Sequence, residues 1–188
     1  MGQTSEIQML EMRLAALDQS VDASVRIDLI NELAWLLSDT DSKRALSLSE
    51  AAFDLANASP TGQSPYHAGV AYSLRTQGYL HLRFGSYALS LRELLQAQEL
   101  FERLQLDDGL ADVLDGIAGV NLQSYQLSAA HSYMLRQLET AQRIDDKRRI
   151  ANAYNNLGVF YLAVGDITRG IETLQQNLDL AVECGFRR

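Results

Sequence analysis

Apolar residues recur three and four positions apart along most of this chain, the spacing that lines one face of an α-helix. Leu94, Leu95, Ala97, Leu100, Phe101 and Leu104 make one such stripe, and Ile7, Leu10, Leu14 and Leu17 make another near the N-terminus. Short breaks separate the stripes, at 39–41, Gly85-Ser86, Tyr125-Gln126 and Gly165-Asp166. Proline breaks helices because it lacks the amide proton and clashes with the preceding turn. Both prolines, Pro60 and Pro65, lie in one Ser/Pro/Gly stretch. The pattern therefore predicts helices throughout, with one longer loop at that stretch.

The helices are organised by self-similarity. Placing Gly78 over Gly158 lays Gly78–Ser86 over Gly158–Asp166, an offset of 80. Half that offset reaches Ala118, and a step back of about 44, which allows for the proline-containing insert, reaches Ala34. A second column of small residues follows at Ala45, Ser90, Ala130 and Gly170. Each unit thus reads as helix, turn, helix. Small residues at matching heights let the two backbones approach until neighbouring side chains interdigitate. The 188 residues hold four periods of 40 with 28 left over. An N-terminal capping helix (1–20) and a loop insert (60–65) absorb nearly all of the remainder. The repeats are then expected at 21–59, 66–106, 107–145 and 146–188. The capping helix covers an apolar face that the first repeat would otherwise expose.

Start signals fit these boundaries. Asp41, Ser86 and Asp166 can cap second helices, and Asp107 or Asp108 and Asp145 or Asp146 can cap first helices, since short polar side chains accept from free amides there. Tyr125 stands where Gly85 and Gly165 stand in the other units. A left-handed backbone would strain a tyrosine, so a differently shaped turn is expected in the third unit.

The run Asn155-Asn156-Leu157-Gly158-Val159-Phe160-Tyr161, followed by Gly165-Asp166, resembles the tetratricopeptide repeat (TPR) family. That family's unit is about 34 residues. The 40-residue spacing is similar to its long-helix branch, seen in kinesin light chains, spindle-orientation adaptors and bacterial signalling proteins. The likeness runs from about residue 24 to 188 and is strongest in the fourth unit. His81 and Asn121 replace the family's tyrosine, and Gln137 and Asn177 its late alanine. The resemblance implies an all-α, right-handed solenoid of helical hairpins with about nine helices.

Sixteen basic against twenty-four acidic residues give a net charge of −8. A nucleic-acid binder needs a basic footprint to release counterions, so nucleic acid is set aside. No apolar run approaches the length of a membrane span, and the N-terminus lacks a signal peptide's charged start and apolar core. The cytoplasm is the expected compartment. The lone Cys184 excludes an internal disulfide framework and reads as a small half-buried hydrophobe. His67, His81 and His131 have no partner at metal-ligand spacing. His81, in the aromatic column, reads as a packing histidine. No nucleotide-binding loop or nucleophile elbow occurs. Asp107-Asp108 and Asp145-Asp146 read as helix starts rather than an acid–base pair. No enzyme activity, metal or cofactor is expected.

What remains is a surface. The resemblance implies that the first helix of each unit lines a concave groove, three residues before the small column and one after it. The first set is Asn31, Arg75, Asp115 and Asn155; the second is Trp35, Tyr79, Gly119 and Val159. Three residues further back lie Asp28, Tyr72, Asp112 and Asn152, on the same helix face. An amide both donates and accepts, and family resemblance makes Asn31 and Asn155 the ones that would hold a peptide backbone. Arg75 could clamp a carboxylate, while Asp28, Asp112 and Asp115 would favour a basic segment. Too few cations are in place for a groove that takes C-terminal carboxylates. Trp35 fits the groove or a wedge against the capping helix equally well. The stretch Val182–Arg188 superposes on the junction that begins the fourth unit. That match suggests the N-terminal part of a longer protein, or an open face that forms homo-oligomers. The expected function is a non-enzymatic module that binds a protein or peptide, by analogy a sensory or regulatory region of a bacterial signalling protein. The alternative is a self-association scaffold with an empty groove.

Overall fold

A computed structural model of the chain describes residues 3–18, 22–58 and 65–185. All of the expected loop insert except Pro65 lies outside the described residues, as do Phe186, Arg187 and Arg188. Among the described residues there are nine α-helices and no strand: α1 (Gln3–Ala15), α2 (Ala23–Leu37), α3 (Ser42–Asn57), α4 (His67–Arg83), α5 (Tyr87–Leu104), α6 (Asp107–Gln123), α7 (Leu127–Arg143), α8 (Lys147–Ala163) and α9 (Ile167–Glu183). Helices α1 to α5 make one compact unit, ending at Leu104, and α6 to α9 make a second.

In the first unit the N-terminal stripe does what its spacing suggests. Leu10 is fully buried in a cluster with Leu29, Leu33, Leu37, Ala45 and Leu80, flanked by Ile7, Leu14 and Leu17. Burying one such leucine is worth about 2 kcal/mol. Asp22 and Asp41 begin α2 and α3, each accepting from the backbone amide of Ser24 or Arg44. The small columns are where helices nearly touch. Ser90 donates its hydroxyl to the Gly78 carbonyl at 2.7 Å, bridging α4 and α5. A methyl group added at Gly78 would stand 2.6 Å from Leu94 Cγ. His81 is packed between the same helices with its Nδ1 2.6 Å from the Glu93 carboxylate.

The second unit repeats the device. A methyl on Gly158 would meet Leu174 Cγ at 2.6 Å, and Gly158 and Leu174 each lie 80 residues after Gly78 and Leu94. In the intervening hairpin the pair is Ala118 with Met134, packed with Leu157 and Phe160 of α8. An unbranched, flexible methionine fits where the small residue carries a Cβ.

Every turn after α4 has one left-handed residue, at Gly85, Gln105, Tyr125, Asp145, Gly165 and Gly185, twenty residues apart. The expectation of a different turn at Tyr125 is wrong. Its φ is +56°, and its amide donates to Leu122 as Gly85 does to Leu82 and Gly165 to Leu162. The strain is tolerated because the tyrosine ring points to solvent, 88% exposed, so only the local backbone preference opposes the turn.

The expected helix caps hold for one pair of acids and fail for the other. Asp146 caps α8, accepting from the amides of Arg148 and Arg149, whereas Asp145 is the left-handed residue before it. Asp107 and Asp108 do not cap α6; they lie in its first turn, and Leu106 occupies the cap position. The two pairs are 38 residues apart, two short of the repeat, so they fall on different positions. Asp107 instead receives a two-pronged contact from Arg143 at the far end of α7, at 2.7 and 2.8 Å.

Candidate functional site

The residues singled out on the first helices split between two patches, one in each unit. In the first unit they lie on α2 and α4. Trp35 and Tyr79 meet with ring centroids 5.3 Å apart. The Arg75 guanidinium lies 3.9 Å over the Trp35 ring and 4.9 Å over Tyr72. Cation–π contact of this kind holds a guanidinium that is largely out of water; Arg75 is 6% exposed, buried rather than presented as a carboxylate clamp. Trp35 stands with this cluster, half-buried, and not among the side chains around Leu10 of α1. Below it, Arg83 donates to the Ser38 carbonyl at 2.9 Å and to Asp39, tying α4 to the end of α2. Asp28 is exposed but accepts from the Tyr66 hydroxyl at 2.9 Å. Burial and that acidic partner push Tyr66 up to about 12.

Asn31 does not present its amide to a partner. It is 3% exposed. Its Nδ2 donates to the Gly69 carbonyl at 2.9 Å, and its Oδ1 accepts from Ser73 at 2.9 Å. Both halves of the amide are spent fastening α2 to α4. The reason is directional. Three residues before the small column, the side chain points into the cleft between successive first helices, where the next hairpin covers it.

The second unit shows the same geometry with different chemistry. Asp115, at Asn31's place in the repeat, accepts from Asn156 of α8 at 2.7 Å. Burial, and then the neighbouring Asp112, push its carboxyl up to about 6, against the hydrogen bonds from Asn156 and Gln137. Asp112 is gripped by Arg149 of α8 through two contacts of 2.9 and 3.0 Å. Neither acid is therefore displayed as an open charge for a basic segment. Sequence reasoning missed Arg149 and Asn156 because their partners lie 37 and 41 residues away.

Asn152 and Asn155, by contrast, are exposed on α8, as is Val159. Asn155 edges an open cleft of about 800 Å³ between α8 and α9, lined chiefly by Ala151, Ile171, Leu174, Leu178, Ala181 and Val182. Ile171 is 61% exposed and Val182 74%, in a wall that also carries the amides of Gln175 and Asn177. The signal for this cleft was in the repeat: Ile171 and Val182 lie 40 residues after His131 and Gln142, polar residues that contact α8 through Tyr161 and Tyr154.

Among the described residues no group of three or more His, Cys, Asp or Glu could hold a metal ion. None of the described helices is long and apolar enough to cross a membrane.

No protein-family model matches this chain. No curated protein matches it. Solved structures do. The chain is similar to aspartyl phosphate phosphatase F from Bacillus subtilis (TM-score 0.76, 12% identity, covering 97% of this chain and 47% of that one). It is similar to a Rap protein solved in complex with competence and sporulation factor (TM-score 0.70, 15% identity, 97% and 49%). It is also similar to a Podosopora anserina protein with nearly identical, kinesin-light-chain TPR-like repeats (TM-score 0.60, 13% identity, 98% and 89%). The chain spans about half the length of the first two. The fold is thus that of the TPR-like helical-repeat proteins, all-α and built of stacked hairpins.

Proposed function

We propose that this chain is a non-enzymatic interaction module that seats a protein or peptide partner in the α8–α9 cleft. The carrying observation is that cleft: mainly apolar walls open to solvent, interrupted by the amides of Asn155, Gln175 and Asn177. Exposed apolar surface rimmed by polar groups is one mark of an interaction site on a folded protein. A fold shared with a Rap protein complexed with a factor supports the reading. Asn152 and Asn155 would supply backbone hydrogen bonds. On α2 and α4, Asp28, Trp35, Tyr72 and Tyr79 would form a second patch. In the cell the module would serve as a regulatory region of a cytoplasmic bacterial signalling protein.

The test is affinity capture with the purified chain and with Ile171→Asp/Val182→Asp. Both side chains are exposed, so the fold should survive, which circular dichroism checks. Loss of the captured partner is expected; unchanged capture refutes the assignment. A self-association scaffold would use the same apolar face of α9. It predicts a concentration-dependent mass by light scattering that the double variant abolishes.

A further inference from the structure

A buried amide in the second unit has one polar atom without a donor. Seven residues after the small column of the second helices, α3 and α5 carry Ala52 and Ala97, both fully buried. At the same place α7 carries Gln137, which is still only 3% exposed. Its side chain hydrogen-bonds to the Asp115 carboxyl of α6. Its Oε1, out of solvent, has no hydrogen-bond partner. A buried acceptor left without a donor is costly. The repeat gives the same two positions a common surface: forty residues on they are Asn155 and Asn177, which line one cleft.

Asp115 is met from two helices, by Gln137 of α7 and by Asn156 of α8, whose Nδ2 donates at 2.7 Å. The charged groups nearby do not neutralise it. Asp112, one turn back on α6, is a second acid, and Arg149 of α8 is divided between Asp112 and Asp146. From α7 comes the uncharged Gln137, while its His131 is engaged with the Tyr161 hydroxyl of α8. Burial, and then Asp112, push the Asp115 carboxyl up to about 6.

The two polar atoms of an amide are spaced like the two oxygens of a carboxyl. A carboxylic acid can therefore pair with one amide through two hydrogen bonds. Its O–H donates to the amide oxygen, and its other oxygen accepts from the amide nitrogen. A carboxylate only accepts, and leaves the amide oxygen without a donor.

We propose that Asp115 and Gln137 form a proton-operated latch between α6 and α7. In acid the Asp115 O–H donates to Gln137 Oε1 and closes the hairpin. When that proton passes to solvent, Oε1 is orphaned and the hairpin loosens, while Asn156 stays on the carboxyl in both states.

Hydrogen exchange at the α6 and α7 amides of the whole chain tests it, after correction for the intrinsic pH dependence of exchange. A carboxyl that titrates at about 6 when closed and at its ordinary 3.8 when open makes opening about tenfold rarer at pH 5 than at pH 7.5. That ratio is expected for the wild type, and its absence overturns the latch. Asp115→Asn offers Oε1 an N–H at every pH. It should abolish the ratio and hold at pH 7.5 the protection that the wild type reaches at pH 5. A tenfold ratio that survives in Asp115→Asn belongs to another group, such as His131, and overturns the proposal. Gln137→Met keeps an unbranched chain of similar length without the amide, and should bring the ratio to about twofold or less. Burial and Asp112 alone would keep it at tenfold in Gln137→Met, and that result also overturns the latch. A carbon-13 titration of the wild type needs no variant. The Gln137 Cδ signal should move with the midpoint of Asp115 Cγ, and a Gln137 signal that stays fixed between pH 5 and 7.5 overturns the pairing.

Discussion

The close approach of α4 and α5 at Gly78 can be tested by transplanting a solution the protein uses elsewhere. Gly78→Ala alone removes a helix-interior glycine, which by itself stabilises by about 1 kcal/mol. The new Cβ, however, would stand 2.6 and 2.8 Å from Leu94 Cγ and Cδ2 and 3.3 Å from the Leu94 backbone nitrogen. The obstruction is the branch point of the leucine, not a free end, so the helices must separate or the leucine must leave its rotamer. Overpacking of this kind costs about 1–3 kcal/mol, leaving a net loss of about 1 kcal/mol. For a chain of this size that is about 2–4 °C in Tm. The neighbouring hairpin carries Ala118 opposite Met134 in a buried cluster. Leu94→Met in the Gly78→Ala background should therefore restore stability to about the wild-type level, while Leu94→Met alone loses less than about 1.5 kcal/mol. Urea unfolding of the four proteins, followed by circular dichroism, gives the coupling energy directly. A favourable coupling of about 1 kcal/mol or more is expected. A coupling within about 0.3 kcal/mol of zero, or a Gly78→Ala variant more stable than wild type, would show that the glycine is not there for the approach of α5.

Three further outcomes are expected. Tyr125→Gly should stabilise by about 1 kcal/mol, because the left-handed backbone disfavours any side chain and the exposed ring gives up no packing; a melting temperature at or below wild type refutes this. Asp115 titrates near 6 when folded, above its ordinary value. Between the two values the folded chain holds a proton that the unfolded chain has released. Its contribution therefore makes the protein more stable as pH falls through 6 and less stable above it. Asp115→Asn should raise the urea midpoint at pH 7.5 and flatten the dependence between pH 4 and 7, and an unchanged pH profile would exclude Asp115 as its source. Leu10→Ala should cost about 2–5 kcal/mol at the α1 contact, and trypsin cleavage at Arg13 should accelerate; an unchanged rate would mean that α1 is not held by Leu10.

The parts of the fold legible in the sequence are those fixed by contacts within a single repeat or along a single helix. Columns such as Gly78/Ser90 and Gly158/Gly170 can be read because a backbone approach forbids bulk on both helices at once. The Leu10 stripe can be read because one face of a single helix carries it. Tyr125 could not be, since the turn demands only a conformation, and a solvated side chain lets an unfavourable residue adopt it at a cost of about 1 kcal/mol. Asp107 was misplaced because a capping acid and a first-turn acid are both favoured at a helix start. The choice here is made by register and by Arg143. The polar stripe was misread for a different reason. Asn31 and Asp115 are local in sequence but find their partners, Ser73 and Asn156, in the next hairpin. No helical wheel of α2 or α6 alone contains that information.

Equivalent positions in this chain thus do unlike work, and the differences carry the functional content. Where a hairpin receives its own successor, as α6 and α7 receive α8, the contact is fixed by an arginine–carboxylate grip and a tyrosine–histidine hydrogen bond. Such contacts demand matched chemistry and reject occupants without it. Where the same positions recur on α8 and α9, the acids are amides and the polar partners aliphatic, so that matched chemistry is absent there. The change also bears on assembly. A seat identical to the internal one would accept the α8 type of helix from any copy that exposed it, and a head-to-tail contact of that kind does not close on itself. Asn152 and Asn155 stand where Asp112 and Asp115 stand one repeat earlier, so an α8-type helix there would keep only Asp146 of its own helix start as the partner of Arg149.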